Sequence, residues 1–283
     1  MANSYLNIVT FLMTTVFYYL AIKPNLTYDI SVDPAKYKEY VSNNYMFLAV
    51  YLLLVIVVQF MVNASIITST CGGSITENIG AAGVFTFLPW TLIFGVLVLV
   101  LTIYPGFKSA FSDVIGYYWV STSANKLINE LLVDPNIQKK IDTEESATPQ
   151  QKEALQSAAD AIIKICGNTS ILINQIVPSN FNSYWGILTP LMKQKYQTNS
   201  SETADIKNKL YELVVTRDNV GEALWYIYTG VLLTSIVQLK ITTRGCVSNP
   251  KTMEQNYQKF LDAEQQAQQQ KDLATSTTYT ITN

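Results

Sequence analysis

Two long apolar runs without Asp, Glu, Lys or Arg, residues 45–68 (YMFLAVYLLLVIVVQFMVNASIIT) and 84–104 (VFTFLPWTLIFGVLVLVLTIY), constrain this chain more than any other feature. About 20 such residues cross the hydrocarbon core of a bilayer as a helix, and a soluble domain rarely places two in succession. Between them, residues 69–83 carry Gly72, Gly73, Gly80 and Gly83 as breakers and Glu77 as the single charge. Residues 45–104 therefore read as a transmembrane hairpin with a short polar connection. The competing reading is a pair of helices buried in a large soluble core.

Two further apolar stretches are weaker. Residues 5–22 are long enough to span and end at Lys23-Pro24, but Asn7, Thr10, Thr14 and Thr15 dilute them. A cleaved signal peptide competes here; with no basic segment before the stretch and no small-x-small site after it, a retained helix is expected, spanning or lying in the interface. Residues 223–239 open with Trp225, Tyr226 and Tyr228, aromatics suited to the headgroup level, and are followed by Lys240 and Arg244. They form either a further span or a buried helix.

The expected fold class is mainly α: an integral membrane protein with a helical hairpin, one or two further membrane-associated helices and a small α-helical extramembrane module. The chain divides into an N-terminal helix and polar loop (1–44), the hairpin (45–104), the module (105–222), the candidate further span (223–239) and a polar tail (240–283). Of 283 residues 49% are hydrophobic and 14% charged, with a net charge of -2, which leaves no electrostatic footprint for nucleic acid. Cys71, Cys166 and Cys246 are odd in number and widely spaced, so they are expected to be free rather than paired or metal-bound, with Cys166 in a core. Glycosylation sequons at Asn25, Asn63, Asn168 and Asn199 carry no weight without a lumenal location.

Orientation follows from basic residues. The connection within the hairpin has no Lys or Arg, whereas Lys23, Lys36 and Lys38 precede the hairpin and Lys108 and Lys126 follow it. The positive-inside rule places both flanks on the cytosolic side and residues 69–83 opposite. Lys240, Arg244 and Lys251 argue against a fourth span, because that span would carry them across.

In the module, residues 123–133 place Leu127, Ile128, Leu131 and Leu132 on one helical face before Asp134-Pro135 ends it. Thr148, Pro149 and Gln151 announce a second helix closed by Gly167, with Leu155, Ala158, Ile162 and Cys166 inward. A third follows Asn199-Ser200-Ser201, with Ile206, Leu210, Leu213 and Val214 as its stripe. Residues 171–185, with Pro178, Phe181, Tyr184 and Trp185, read as irregular. The stretch 251–273 favours helix by propensity, but Gln dominates after Met253, Tyr257, Phe260 and Leu261, so the tail is expected to be disordered or held by a neighbouring protein.

The chain has no histidine, and with it go the commonest general base and metal ligand. No phosphate-binding or dinucleotide fingerprint or paired-Cys zinc motif occurs, and Asp142, Glu144 and Glu145 read as a solvated loop. No catalytic residue, cofactor, metal or small-molecule substrate is expected. Transport asks for ionisable groups at midmembrane, and the hairpin offers only Gln59 and Asn63, which with Asn7 suit interhelical hydrogen bonds.

One stretch remains. After the hairpin, Pro105-Gly106 breaks the helix, Lys108 marks the boundary, and Phe107, Phe111, Tyr117, Tyr118 and Trp119 suit an interfacial aromatic belt. With Ser112 and Gly116, this order resembles a segment of inner-membrane virion proteins of nucleocytoplasmic large DNA viruses, including the phycodnaviruses. There a hairpin is followed by Pro-Gly-aromatic, Pro-Phe-Ser-Asn-Thr and Gly-Tyr. This chain keeps Pro105, Gly106, Phe111, Ser112, Gly116 and Tyr117 and departs at Ala110, Asp113 and Val114. The resemblance implies a structural minor capsid protein in an ER-derived inner viral membrane, tied to the icosahedral lattice through its module. Its implied partners are the bilayer and other capsid proteins. The alternatives are an accessory subunit of a cellular or organellar membrane complex, and an oligomeric channel or transporter.

Overall fold

The computed structural model describes residues 5–132, 168–198, 200–243, 246 and 250–276. The helix expected to begin at Thr148, the acidic stretch from Asp142 and residues 277–283 lie outside the described residues.

Helix α1 (Leu6–Phe17) runs into a π turn (Tyr18–Ile22), followed by the short α2 (Tyr28–Val32) and the long α3 (Pro34–Cys71). Asp33 starts α3: its carboxylate accepts from the amides of Ala35 (2.9 Å) and Lys36 (3.2 Å), and Pro34 occupies the first turn, where its missing N–H costs nothing. The apolar run 45–68 is thus the centre of a 38-residue helix, about 57 Å long. Gly72 (φ 71°) and Gly73 (φ 79°) end it in the left-handed region that side chains disfavour.

Ser74 and Glu77 then form a reciprocal capping box that opens α4 (Ile75–Pro89). The hairpin turn is therefore much shorter than expected, and Gly80 and Gly83 sit inside α4 rather than breaking it. Pro89 lacks an amide hydrogen, and the helix re-registers through a π turn (Trp90–Phe94) before continuing as α5 (Gly95–Ile103).

A 3-10 turn (Pro105–Lys108), a single turn α6 (Ser109–Phe111) and a π turn (Ser112–Gly116) lead into α7 (Tyr117–Leu131). Where an irregular segment was expected, α8 (Thr169–Gln175) and α9 (Phe181–Leu188) form. Phe181 drives this: it is 2% exposed and meets Tyr211 edge-on at 4.9 Å. The isolated antiparallel bridge Leu132–Met192 is the sole β pairing among the described residues.

Helix α10 (Ser201–Thr243) starts where Ser200 Oγ accepts from the Thr203 amide. It is continuous for 43 residues, so the expected boundary at 222/223 falls inside one helix. Its first half packs Ile206, Leu210, Tyr211, Val214 and Val215 into the module core with Val120, Ala124, Ile128, Leu131 and Phe181. Its second half joins α1, α3 and α4–α5 in a four-helix bundle. Helix α11 (Pro250–Ser276) carries the tail, in line with its helix propensity, with Tyr257 and Phe260 exposed.

Three helices, Pro34–Cys71, Ile75–Ile103 and Ser201–Thr243, are long and apolar enough to cross a membrane. The bundle is apolar outside as well as inside. Met13, Leu20, Leu53, Met61, Val84, Leu88, Leu99 and Leu239 are each exposed by more than half of their surface. Phe11, Tyr18, Tyr51, Trp90, Phe94 and Tyr226 fill its interior. Gly230 admits Phe11, whose ring a Cβ there would overlap at 2.1 Å. At one end Cys71 and Cys246 form a disulfide, with Cα atoms 5.1 Å apart. This corrects the expectation of free thiols: α3 and α10 end at the same level, which brings together cysteines 175 residues apart.

Candidate functional site

The stretch 105–119 packs against one face of α10, presented by Arg217, Asp218, Gly221, Glu222 and Trp225 at helical spacing. Close approach depends on two glycines. A Cβ on Gly221 would lie 2.6 Å from Ser112 Cβ, 2.8 Å from its amide nitrogen and 3.0 Å from Lys108 O, and one on Gly116 would lie 2.5 Å from Arg217 O. Ser112, 2% exposed, is sealed beneath this crossing. Trp225 Nε1 donates to Phe107 O (2.8 Å), and the Phe111 ring stands edge-on to Trp225 at 5.0 Å.

The expected aromatic belt therefore divides. Phe107, Tyr118 and Trp119 point outward, Tyr118 at 80% and Trp119 at 72% exposure. Phe111 packs on α10, and Tyr117 turns toward the module core, its hydroxyl donating to Asn125 Oδ1. Pro105 and Gly106 shape the turn that delivers Lys108 to α10.

Lys108 Nζ lies 2.6 Å from Glu222 and 3.2 Å from Asp218, and Lys23 Nζ lies 2.5 Å from Glu222. Tyr19 adds a hydroxyl donor to Glu222 at 3.0 Å. The Lys23, Lys108 and Glu222 side chains are 7, 14 and 10% exposed. Burial raises the Glu222 carboxyl, but the two lysines outweigh it and hold the group down at about 2. Burial lowers Lys108, and Glu222 and Asp218 reverse that, holding it above its ordinary value. The cluster ties the segment after α1, the turn after α5 and α10 at one point.

Arg217 sits beside it, 1% exposed, donating to Ile173 O and, at 3.5 Å, to Asn174 Oδ1. Asn174 in turn donates to Asp113 O. Sequence reasoning missed Lys23, Arg217, Asp218, Gly221, Glu222 and Trp225 as members of the site. The signal was present: Asp218 and Glu222, four apart, precede one apolar run, while Lys23 and Lys108 follow two others.

Gln59 and Asn63 lie elsewhere, deep in the bundle, 1% and 0% exposed. Gln59 Nε2 donates to Asn7 O (3.1 Å) and Thr10 Oγ1 (3.3 Å). Asn63 donates to Thr86 Oγ1 (2.9 Å) and accepts from Asn7 Nδ2 (3.0 Å), which also reaches Gln238 Oε1 (3.2 Å). One polar network thus joins α1, α3, α4 and α10.

Among the described residues no group of three or more Asp, Glu or Cys side chains is placed to hold a metal ion. No family model, curated protein or solved structure matches the chain.

Proposed function

We propose that this protein is a structural membrane anchor whose helical module binds other proteins: a minor capsid protein joining an inner viral membrane to an icosahedral capsid lattice. The observation that carries the anchor reading is the bundle's outer shell. Leu53, Leu88, Leu99 and Leu239 would cost roughly 1–2 kcal/mol each if left in water, and a bilayer removes that cost. The capsid assignment rests on the resemblance of 105–119, whose residues support it by forming the joint between bundle and module.

Orientation has two independent supports. Lys23, Lys36, Lys38 and Lys108 cluster at the module end, favouring the cytosolic side, and the disulfide favours an oxidising compartment at the other. Under this reading the module faces the lattice and α11 the opposite side. A pore through the bundle is disfavoured, because Gln59 and Asn63 spend their hydrogen bonds on neighbouring helices.

The test is cross-linking mass spectrometry on purified virions or native membranes. Residues of 105–222 are expected to link to capsid components. Links confined to respiratory or translocation subunits would move the assignment to a cellular complex. Solute flux in liposomes, abolished by substituting Gln59 or Asn63, would replace the anchor with a channel.

A further inference from the structure

We propose that the cleft between module and bundle is a binding site for the headgroup of a zwitterionic phospholipid, resting on the membrane reading above. The cleft has a volume of about 430 Å³. Its level identifies the source of the ligand: Tyr45, Leu101 and Pro105 line it, so it lies where two apolar runs end and headgroups would begin.

Its charge identifies the class. Lys23, Lys108 and Arg217 are matched by Asp113, Asp218 and Glu222 around the same space, a balance that favours neither a net anion nor a net cation. The hydrogen bonding is nevertheless incomplete at both polarities. Lys23, almost wholly buried, spends one of its three ammonium hydrogens on Glu222, and Arg217 Nε is buried without an acceptor. Asn44 Oδ1 is buried without a donor. Phosphate oxygens supply acceptors to Lys23 and Arg217, and a primary ammonium, which carries N–H bonds, supplies the donor to Asn44. Tyr37 and Tyr40 line the same cleft as a stacked pair, ring centroids 6.3 Å apart, and add aromatic surface beside that ammonium. A zwitterionic phosphodiester headgroup carries both halves in one molecule.

Native mass spectrometry of the full chain in detergent tests this, with phosphatidylethanolamine, phosphatidylcholine, phosphatidylglycerol and inorganic phosphate as probes. One phosphatidylethanolamine per chain is expected, bound at least tenfold tighter than phosphatidylglycerol and more tightly than phosphatidylcholine, whose quaternary ammonium has no N–H for Asn44, with no phosphate adduct. Asn44→Leu and Tyr37→Leu are expected to weaken retention tenfold or more while leaving the unfolding temperature within a few degrees. No bound lipid, equal retention of phosphatidylglycerol, or phosphate binding as tight as lipid would overturn the proposal, as would undiminished retention in both variants. If the variants unfold, the wild-type lipid preference decides alone. Carbonate-resistant protein that retains no lipid defeats this site only, whereas carbonate release defeats the membrane reading itself.

Discussion

Gly221 and Glu222 occupy adjacent positions on α10 and test opposite kinds of interaction. Around Gly221 the obstructing atoms include the Ser112 amide and the Lys108 carbonyl, backbone that cannot rotate away. Gly221→Ala is expected to cost about 1–3 kcal/mol, read as a lowered unfolding temperature in detergent. Gly80→Ala, where nothing lies within 4 Å, is the control and is expected to stabilise by up to about 1 kcal/mol. Glu222→Gln leaves buried Lys23 with a neutral partner and Lys108 with Asp218 alone, a loss on the order of 3–5 kcal/mol. Because the folded carboxyl is depressed from 4.5 to about 2, its contribution is complete above 4.5 and is lost as pH falls through about 2. Acid titration of unfolding should show that decline in the wild type and a flatter profile in the variant; equal profiles would remove Glu222 from the account. The glycines were visible in the sequence, but nothing local distinguishes Gly221 from Gly80, since only the neighbouring helix makes one tight and the other free.

Helix boundaries follow from caps that contiguous residues supply. Asp33-Pro34, Gly72-Gly73 and Ser74 with Glu77 each satisfy or terminate backbone groups within four residues, yet of these only the two glycines read as breakers, and 69–83 was expected to be one polar connection. The helices α8 and α9 were not readable, since Asn and Pro dominate locally and the gain comes from burying Ile173 in the module core beside α7 and Phe181 against Tyr211 of α10. The disulfide is likewise a property of two elements. In a Cys166→Ser background, Cys71 and Cys246 are expected to resist maleimide until reductant is added. Cys71→Ser should then loosen the far end of α10 at a cost of about 2–4 kcal/mol in the unfolding midpoint. Ready labelling of both cysteines without reductant would return them to free thiols and withdraw one support for the orientation.

As a whole the molecule couples a polar module to an apolar bundle through α10, which belongs to both cores. Alkaline carbonate should leave it in the membrane pellet, and a chain lacking residues 45–104 should be far more extractable; release of the intact protein would refute integration. The sequence by itself determined the apolar spans and the asymmetry of basic residues, because hydropathy and charge are properties of neighbouring residues. Tertiary structure alone decided that α10 is one continuous helix shared by two cores, that Lys23 meets Glu222 across 199 positions, and that Ser112 seats on Gly221. Those contacts form only when distant segments are brought together, and the packing that unites them is set by the shapes of several helices at once.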